Sequence, residues 1–304
     1  PLSALDAARR ARGLDLVAWV VLLHNSWLGE RHPDCAMRNA FGDPYIHSLD
    51  PAHPAVREYA LALVEDVVRG GEVSAIELES PGAMGFAHGY HHEITGVALD
   101  VIQERLLGLS FTEHELLRAG AAGIDGEGVR RRVASLLEVS WERAGGLTAS
   151  DGVPTQDAAA LLDDADFQAY GTMRSEIVTA LGVDLYAAIK GASPGTRVRQ
   201  FAALNPGEVS DDARAALPRL ADEALAGYAT SDADARERTA ELRQTMGDKP
   251  VLGMIRAIAP DTVDPATISP RVTAWREAGV AGINVYNYGL MTRRTLAAFA
   301  AIRP

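Results

Sequence analysis

Leu14-Asp15-Leu16-Val17-Ala18-Trp19-Val20-Val21-Leu22-Leu23 is apolar at nine of its ten positions. A strand with one wet face alternates; this run does not, so both of its faces are expected to be covered. Strands covered on both faces belong to parallel sheets flanked by helices. Trp19, mid-run, is expected in the core. Upstream, Ser3–Arg12 reads as a short helix with Leu5 and Ala8 on one side, capped by Ser3 and ended by Gly13.

The same unit recurs outward from this run. A helix at 54–69 precedes a strand at 73–79, and a long, mostly helical stretch at 97–190 precedes a strand at 196–202. A short helix at 211–220 leads to a strand at 223–229, and a helix at 233–246 to a strand at 250–255. A helix at 269–278, a strand at 281–286 and a helix at 292–302 complete the pattern. Strands alternating with helices predict a wound parallel α/β architecture. With no glycine-rich nucleotide fingerprint, a (β/α)8 barrel of the TIM type is favoured over an open doubly wound sheet.

Such a barrel has eight strands and six are legible, so they are assigned as its third to eighth, with β1-α1-β2 lacking from this chain. An open gap would leave unpaired edges and exposed apolar faces. The missing segment is therefore expected from a second chain, a bound N-terminal fragment or a partner copy. On this reading residues 1–96 hold the third and fourth strands and 191–304 the fifth to eighth. Residues 97–190 form a helical insertion after the fourth strand, with a capping box predicted at Thr112-Glu113-His114-Glu115 and breaks at Gly120, Gly123, Gly126 and Gly128.

Composition narrows the function. Of 304 residues, 47% are hydrophobic and 23% charged, as in ordinary globular proteins. A net charge of −12 argues against nucleic acid and anionic membranes as partners. No apolar run reaches the roughly 18 residues a bilayer span needs. The single cysteine, Cys35, excludes an intrachain disulfide and a Cys-based zinc cluster, and it fits a reducing, cytoplasmic setting. It has no basic neighbour in sequence, so a structural role is expected.

Barrel active sites sit at the C-terminal ends of the strands. Those ends offer His24, Asn25 and Trp27; Glu77 and Glu79; Gln200; Tyr228; Arg256 with Asp261; and Tyr286 with Asn287. In Ala75-Ile76-Glu77-Leu78-Glu79 the carboxylates share one strand face and the aliphatics the other. Facing the barrel mouth, a desolvated glutamate becomes a usable acid; the competing reading is a structural ion pair with an arginine such as Arg256. Three of eight histidines fall within five positions in Gly85-Phe86-Ala87-His88-Gly89-Tyr90-His91-His92-Glu93. Imidazoles there either ligate a metal or grip substrate; contact with substrate is expected, with no metal and no cofactor. Phe86 and Tyr90 are candidate stacking faces. Trp27 is either a sugar platform or a loop anchor, while Trp141 and Trp275, on helices, read as packing. Ser80 lacks the Gly-x-Ser-x-Gly elbow of serine hydrolases.

Leu49-Asp50-Pro51-Ala52-His53-Pro54-Ala55-Val56-Arg57-Glu58-Tyr59, followed by a helix and Val73-Ser74-Ala75-Ile76-Glu77-Leu78-Glu79, resembles the family-10-like glycoside hydrolases. Ala281-Gly282-Ile283-Asn284-Val285-Tyr286-Asn287-Tyr288-Gly289 continues the likeness. The resemblance implies a TIM barrel, oligosaccharide or glycoconjugate substrates, and an acidic residue at Glu79, where the family usually has aspartate. Related retaining barrels also carry a glutamate at the end of the seventh strand. Here Met254-Ile255-Arg256-Ala257-Ile258-Ala259-Pro260-Asp261 has none, and Asp261 is the nearest substitute. The expected function is a two-carboxylate glycoside hydrolase using Glu79 and Asp261. His24, Asn25, His91, His92, Tyr286 and Asn287 would hold hydroxyls, and Trp27 or Tyr90 would stack. The alternatives are a non-catalytic carbohydrate-binding barrel and a metal-dependent hydrolase built on the His88–His92 loop.

Overall fold

The computed structural model describes residues 2–70, 73–89, 99–142, 146–149, 152–201, 217–259 and 261–302. Helix α1 (Leu2–Arg10) leads into β1 (Val17–Val21), then α2 (Ser26–Arg31) and a hairpin of β2 (Ala36–Arg38) and β3 (Pro44–Leu49). Helix α3 (Pro54–Gly70) returns the chain to β4 (Ala75–Glu79). A helical stretch follows: α4 (Phe86–Gly89), α5 (Val101–Leu107), α6 (Glu113–Ala121), α7 (Gly126–Glu142), α8 (Gln156–Leu162) and α9 (Ala165–Ala192). Alternation then resumes with β5 (Arg197–Phe201), α10 (Leu217–Leu220), β6 (Glu223–Tyr228) and α11 (Asp232–Met246). It ends with β7 (Val251–Arg256), α12 (Ile268–Glu277), β8 (Gly282–Tyr286) and α13 (Arg293–Ala300).

Six strands form one sheet in the order β1-β4-β5-β6-β7-β8, every pair parallel. In a flat sheet, four spacings of roughly 4.8 Å would hold β4 and β8 about 19 Å apart. Instead Asn284 Nδ2 on β8 donates to Glu77 Oε2 on β4 at 2.9 Å. The rings of Trp19 and Tyr286, on the two edge strands, lie 5.6 Å apart. The sheet is therefore curled into a trough, which is a (β/α)8 barrel with an open sector, as the alternating sequence predicts.

Local sequence explains each layer. On β4, Ile76 and Leu78 are fully buried on the outer face, while Glu77 and Glu79 face inward. The outer aliphatics meet Val56, Ala60, Val64 and Val68 of α3, spaced four apart on one helical stripe, and Leu181, Leu185 and Ile189 of α9. Farther round, Ala224, Ala226, Val251 and Ile255 pack under Ala235, Leu242, Met246 and the fully buried Trp275. A Cβ on Gly253 would sit 2.5 Å from the Trp275 indole, so this strand position accepts only glycine without rearrangement.

The helices between β4 and β5 have a core of their own, including Leu106, Val129, Val133, Leu137, Phe167, Tyr170, Met173 and Ile177. Helix α9 serves both cores: its first half packs among these residues and its second half covers the sheet. Thr112 caps α6, accepting from the Glu115 amide at 3.2 Å, and its hydroxyl donates to Asp50 Oδ2 at 2.7 Å. The predicted capping box is only half made, because the Glu115 carboxylate turns inward to accept from Arg174 Nε at 3.0 Å.

Two expectations need correction. The β2–β3 hairpin was not anticipated. Its first strand is three residues long, too short to show a period, and an isolated bridge between His24 and Ser48 ties it to the chain leaving β1. Trp19 is not core: it is 53% exposed, and Val21 is 39% exposed. Strand β1 is a sheet edge whose inner face lines the open trough, so its apolar run is covered by helices on one side only.

Candidate active site

A cleft of about 1140 Å³ opens along the inner face of the trough. It is lined by Trp19 of β1, Glu77 and Glu79 of β4, Arg199 and Phe201 of β5, Tyr228 of β6, Met254 and Arg256 of β7, and Asn284 and Tyr286 of β8. Strand register stacks these into layers: Trp19 stands opposite Glu77, Glu77 opposite Arg199, and Arg199 opposite Glu223. Farther round, Met254 stands opposite Asn284, and Arg256 opposite Tyr286. Because inward side chains recur every second residue, one polar position per strand suffices to build a polar floor.

Glu77 is held by Asn284 and lies near Arg199, yet burial dominates and pushes its carboxyl above the usual range, with Glu79 adding to the rise. Arg199 Nε is bonded to Glu223 Oε2 at 2.5 Å. Glu79 stands at the C-terminal end of its strand, and its Oε2 is buried with no hydrogen-bond partner among the described residues; Gln200 Oε1 is in the same state. Buried polar atoms without partners are rare and call for a ligand or water. Ser80, the next residue and also a cleft residue, has φ +49°, a left-handed conformation uncommon outside glycine and concentrated at functional sites. Tyr228 carries the Arg256 guanidinium 4.3 Å above its ring, and burial pushes its phenol up to about 12.

The other sequence candidates scatter. Tyr286 and Arg256 line the cleft. Asp261 is not among the described lining residues; it pairs with Arg256 at 3.4 Å. Asn25 has both ends engaged, accepting from the Leu28 amide to cap α2 and donating to Tyr59 Oη. Asn287 and Trp27 also fall outside the described lining, and Trp27 has the Arg31 guanidinium 3.9 Å over one face. His24 sits at the cleft margin, its Nδ1 3.4 Å from Nε2 of His88, an exposed lining residue. Tyr90, His91 and His92 lie outside the described residues. Phe86 packs against Tyr45 and the helical core rather than offering a stacking face. Trp141 is 53% exposed and stacked on Phe41, not packed inside.

Trp19, Arg199 and Asn284 escaped the sequence reading. The last two had a signal: each is a polar residue at the centre of a predicted strand. Trp19 had none, because an aromatic in an apolar run looks the same whether it faces core or cleft.

Away from the trough, Asp34, Cys35 and His53 bring three metal-capable atoms within 4.8 Å of one another. His53 is the basic neighbour that Cys35 lacks in sequence. Its Nδ1 accepts from the Ala55 amide at 3.1 Å, so the ring proton sits on Nε2, which approaches Cys35 Sγ at 3.8 Å. A ring bound this way has no lone pair left for a metal. Burial, with Asp34 and Asp50 nearby, pushes the thiol pKa up, away from a reactive thiolate.

No family model matches the chain. No curated protein matches it either. Solved structures do. The catalytic domain of β-amylase from Paenibacillus polymyxa superposes with a TM-score of 0.59 at 11% identity, over 98% of this chain and 83% of that one. The PgaB (BpsB) glycoside hydrolase domain from Bordetella bronchiseptica gives 0.58 at 13%, over 96% and 75%. α-L-Fucosidase isoenzyme 2 from Paenibacillus thiaminolyticus gives 0.57 at 14%, over 98% of this chain but 38% of that one. The likeness is one of fold. These neighbours are glycoside hydrolases, and the present chain spans well under half of the fucosidase. No described helix is long and apolar enough to cross a membrane.

Proposed function

We propose that the trough cleaves glycosidic bonds in an oligosaccharide or glycoconjugate, with Glu79 as the principal carboxylate. The observation that carries this reading is the buried, unpartnered Glu79 Oε2 at the C-terminal mouth of a cleft bearing Trp19, Tyr228 and Tyr286. Aromatic faces suit the apolar faces of sugar rings, and a carboxyl oxygen without a partner among the described residues is available to a substrate oxygen. The likeness in fold to glycoside hydrolases agrees with it. The narrower resemblance to the family-10-like group rests on the stretches around Asp50–Tyr59 and Val73–Glu79.

The second carboxylate is Glu77 rather than Asp261. Asp261 is engaged with Arg256, whereas Glu77 is in the cleft two residues from Glu79 on the same strand face. The Cα atoms of Glu77 and Glu79 stand roughly 6.6 Å apart along the strand, so both side chains reach the same cleft. One group protonates the leaving oxygen while the other attacks the anomeric carbon or activates water. Burial favours a proton on Glu77. His24, His88 and Tyr286 hold hydroxyls at the margin, and Trp19 stacks.

A non-catalytic carbohydrate-binding barrel is the second reading, favoured by one observation: β7 ends on Arg256 and sends no carboxylate into the cleft. Hydrolysis of aryl glycosides and natural glycans, measured beside binding of the same sugars, separates the two. The catalytic reading expects turnover in the wild type that Glu79→Gln abolishes with binding kept; binding without turnover in the wild type favours the alternative. Near-stoichiometric zinc or manganese in purified protein would instead favour a metal-dependent hydrolase on the His88–His92 loop.

A further inference from the structure

We propose that Asn284 is a positioning residue for the Glu77 carboxyl: its amide holds Oε2, so the proton that Glu77 delivers is carried by Oε1. The inference rests on Glu77 as the acid of the proposed reaction and adds what places its proton.

The placement begins with the sheet. Asn284 stands on β8 opposite Met254 of β7, and Glu77 stands on β4 between Trp19 of β1 and Arg199 of β5. Four strand spacings part the two residues along the sheet, yet its curl brings Asn284 Nδ2 to 2.9 Å from Glu77 Oε2. Both side chains line the cleft. The strands themselves are held by backbone pairing to their neighbours, β4 to β1 and β5, and β8 to β7.

The charges around Glu77 leave this task to an uncharged donor. Glu79, two residues on along β4, opposes a second negative charge. Arg199 of β5 acts on Glu77 only through space. Its Nε is taken by Glu223 of β6 at 2.5 Å, and Glu223 also holds Arg197 Nε at 2.7 Å. Among the described residues Glu77 has no ion-pair partner. Arg256 of β7 stands one layer nearer the mouth, opposite Tyr286, with its guanidinium over the protonated Tyr228 of β6. Trp19 and Met254 bring no charge.

A guanidinium bonded to Glu77 would hold it ionised, and an ionised carboxylate has no proton to give. An amide N–H behaves differently. Oε2 accepts from it in the ionised state and equally in the neutral state, provided the proton is on Oε1. A proton on Oε2 would meet the amide hydrogen and break the bond. Asn284 therefore selects the oxygen, while burial strengthens the hold of the carboxyl on its proton.

The test pairs Asn284→Ala with Asn284→Asp, which keeps the side chain's shape but loses the donor. Carbon-13 NMR of the Glu77 carboxyl, assigned by its loss in Glu77→Gln, follows the titration without substrate. Without the donor the ionised form loses support, so the Glu77 midpoint rises by roughly half to one pH unit, and further in Asn284→Asp, which adds a like charge. The alkaline limb of kcat on a natural glycan moves up with it. On that glycan kcat falls about tenfold, part of the roughly 10²–10⁴-fold that a placed acid contributes, and KM stays within about twofold. On a dinitrophenyl glycoside, whose leaving group departs without a proton, the loss is smaller by about threefold or more. An unmoved Glu77 midpoint overturns the inference. So does an equal loss on both substrates with the alkaline limb in place, the mark of a merely structural bond. A raised KM with kcat kept would make Asn284 a sugar contact instead and also overturns it. A wild type that cleaves no glycoside would sink the proposed function, and the Glu77 midpoint would then decide this inference alone.

Discussion

The unpartnered Oε2 of Glu79 sets apart what this residue does for folding from what it does for chemistry. Among the described residues no hydrogen bond depends on that oxygen, so Glu79→Gln should leave the melting temperature within about 2 °C while turnover falls by roughly 10³-fold or more. A parallel loss of stability and activity would show that Glu79 holds the strand rather than the substrate. Trp19 is read in the same way. It is 53% exposed, so Trp19→Ala should cost under roughly 1 kcal/mol of stability and weaken sugar affinity about tenfold. Trp275, with 0% exposure, is the contrast: Trp275→Ala should cost about 3–5 kcal/mol. Chemical denaturation of the two variants checks the difference. Trp19 lies in an apolar run and Trp275 on a predicted helix, and neither setting tells in sequence whether the indole meets a core or a cleft. Glu77 and Glu79 were legible as a pair because carboxylates at alternate positions share one strand face, while the curl of the sheet decides between a cleft and a structural ion pair.

Elements show a second division, between what local pattern specifies and what only tertiary packing decides. The βα alternation from β4 onward follows from periodicity and from caps such as Ser231 on α11. The split duty of α9 does not, because a continuous 28-residue helix carries no mark where one core ends and the next begins. Nor could sequence show that Asp50, Glu115 and Arg174, far apart along the chain, meet where the helical layer joins the strand layer. Burial there pushes Glu115 from its ordinary value near 4.5 up to about 7, partly offset by Arg174, and pushes Asp50 up as well. A carboxyl that binds its proton more tightly when folded favours the folded state at low pH, and this contribution is lost as pH rises between the two values. Melting temperature should therefore fall from about pH 5 to 7 in the wild type and change less in Glu115→Gln, which cannot titrate at that position. Curves that run parallel would remove Glu115 from the account. Packing is equally specific at Gly253: Gly253→Ala would push a methyl into the Trp275 ring and should destabilise by about 1–3 kcal/mol in urea unfolding.

For the whole molecule, curvature turns scattered residues into a site. Glu77 and Asn284 are separated by 207 positions and four strand spacings, yet they share a hydrogen bond because the sheet curls. The net charge of −12 and the pair of glutamates on the trough floor suit a neutral sugar better than a polyanion. The central claim is that this trough binds a carbohydrate with its scissile bond at Glu79. It is tested most directly by a crystal structure of the Glu79→Gln variant, soaked with an oligosaccharide that the wild type cleaves. The account predicts the glycosidic oxygen within about 2.6–3.2 Å of the side chain at position 79, with a sugar ring against Trp19 or Tyr286. A sugar seated instead on the exposed Trp27 or on the Phe41–Trp141 stack, with the trough empty, would contradict it.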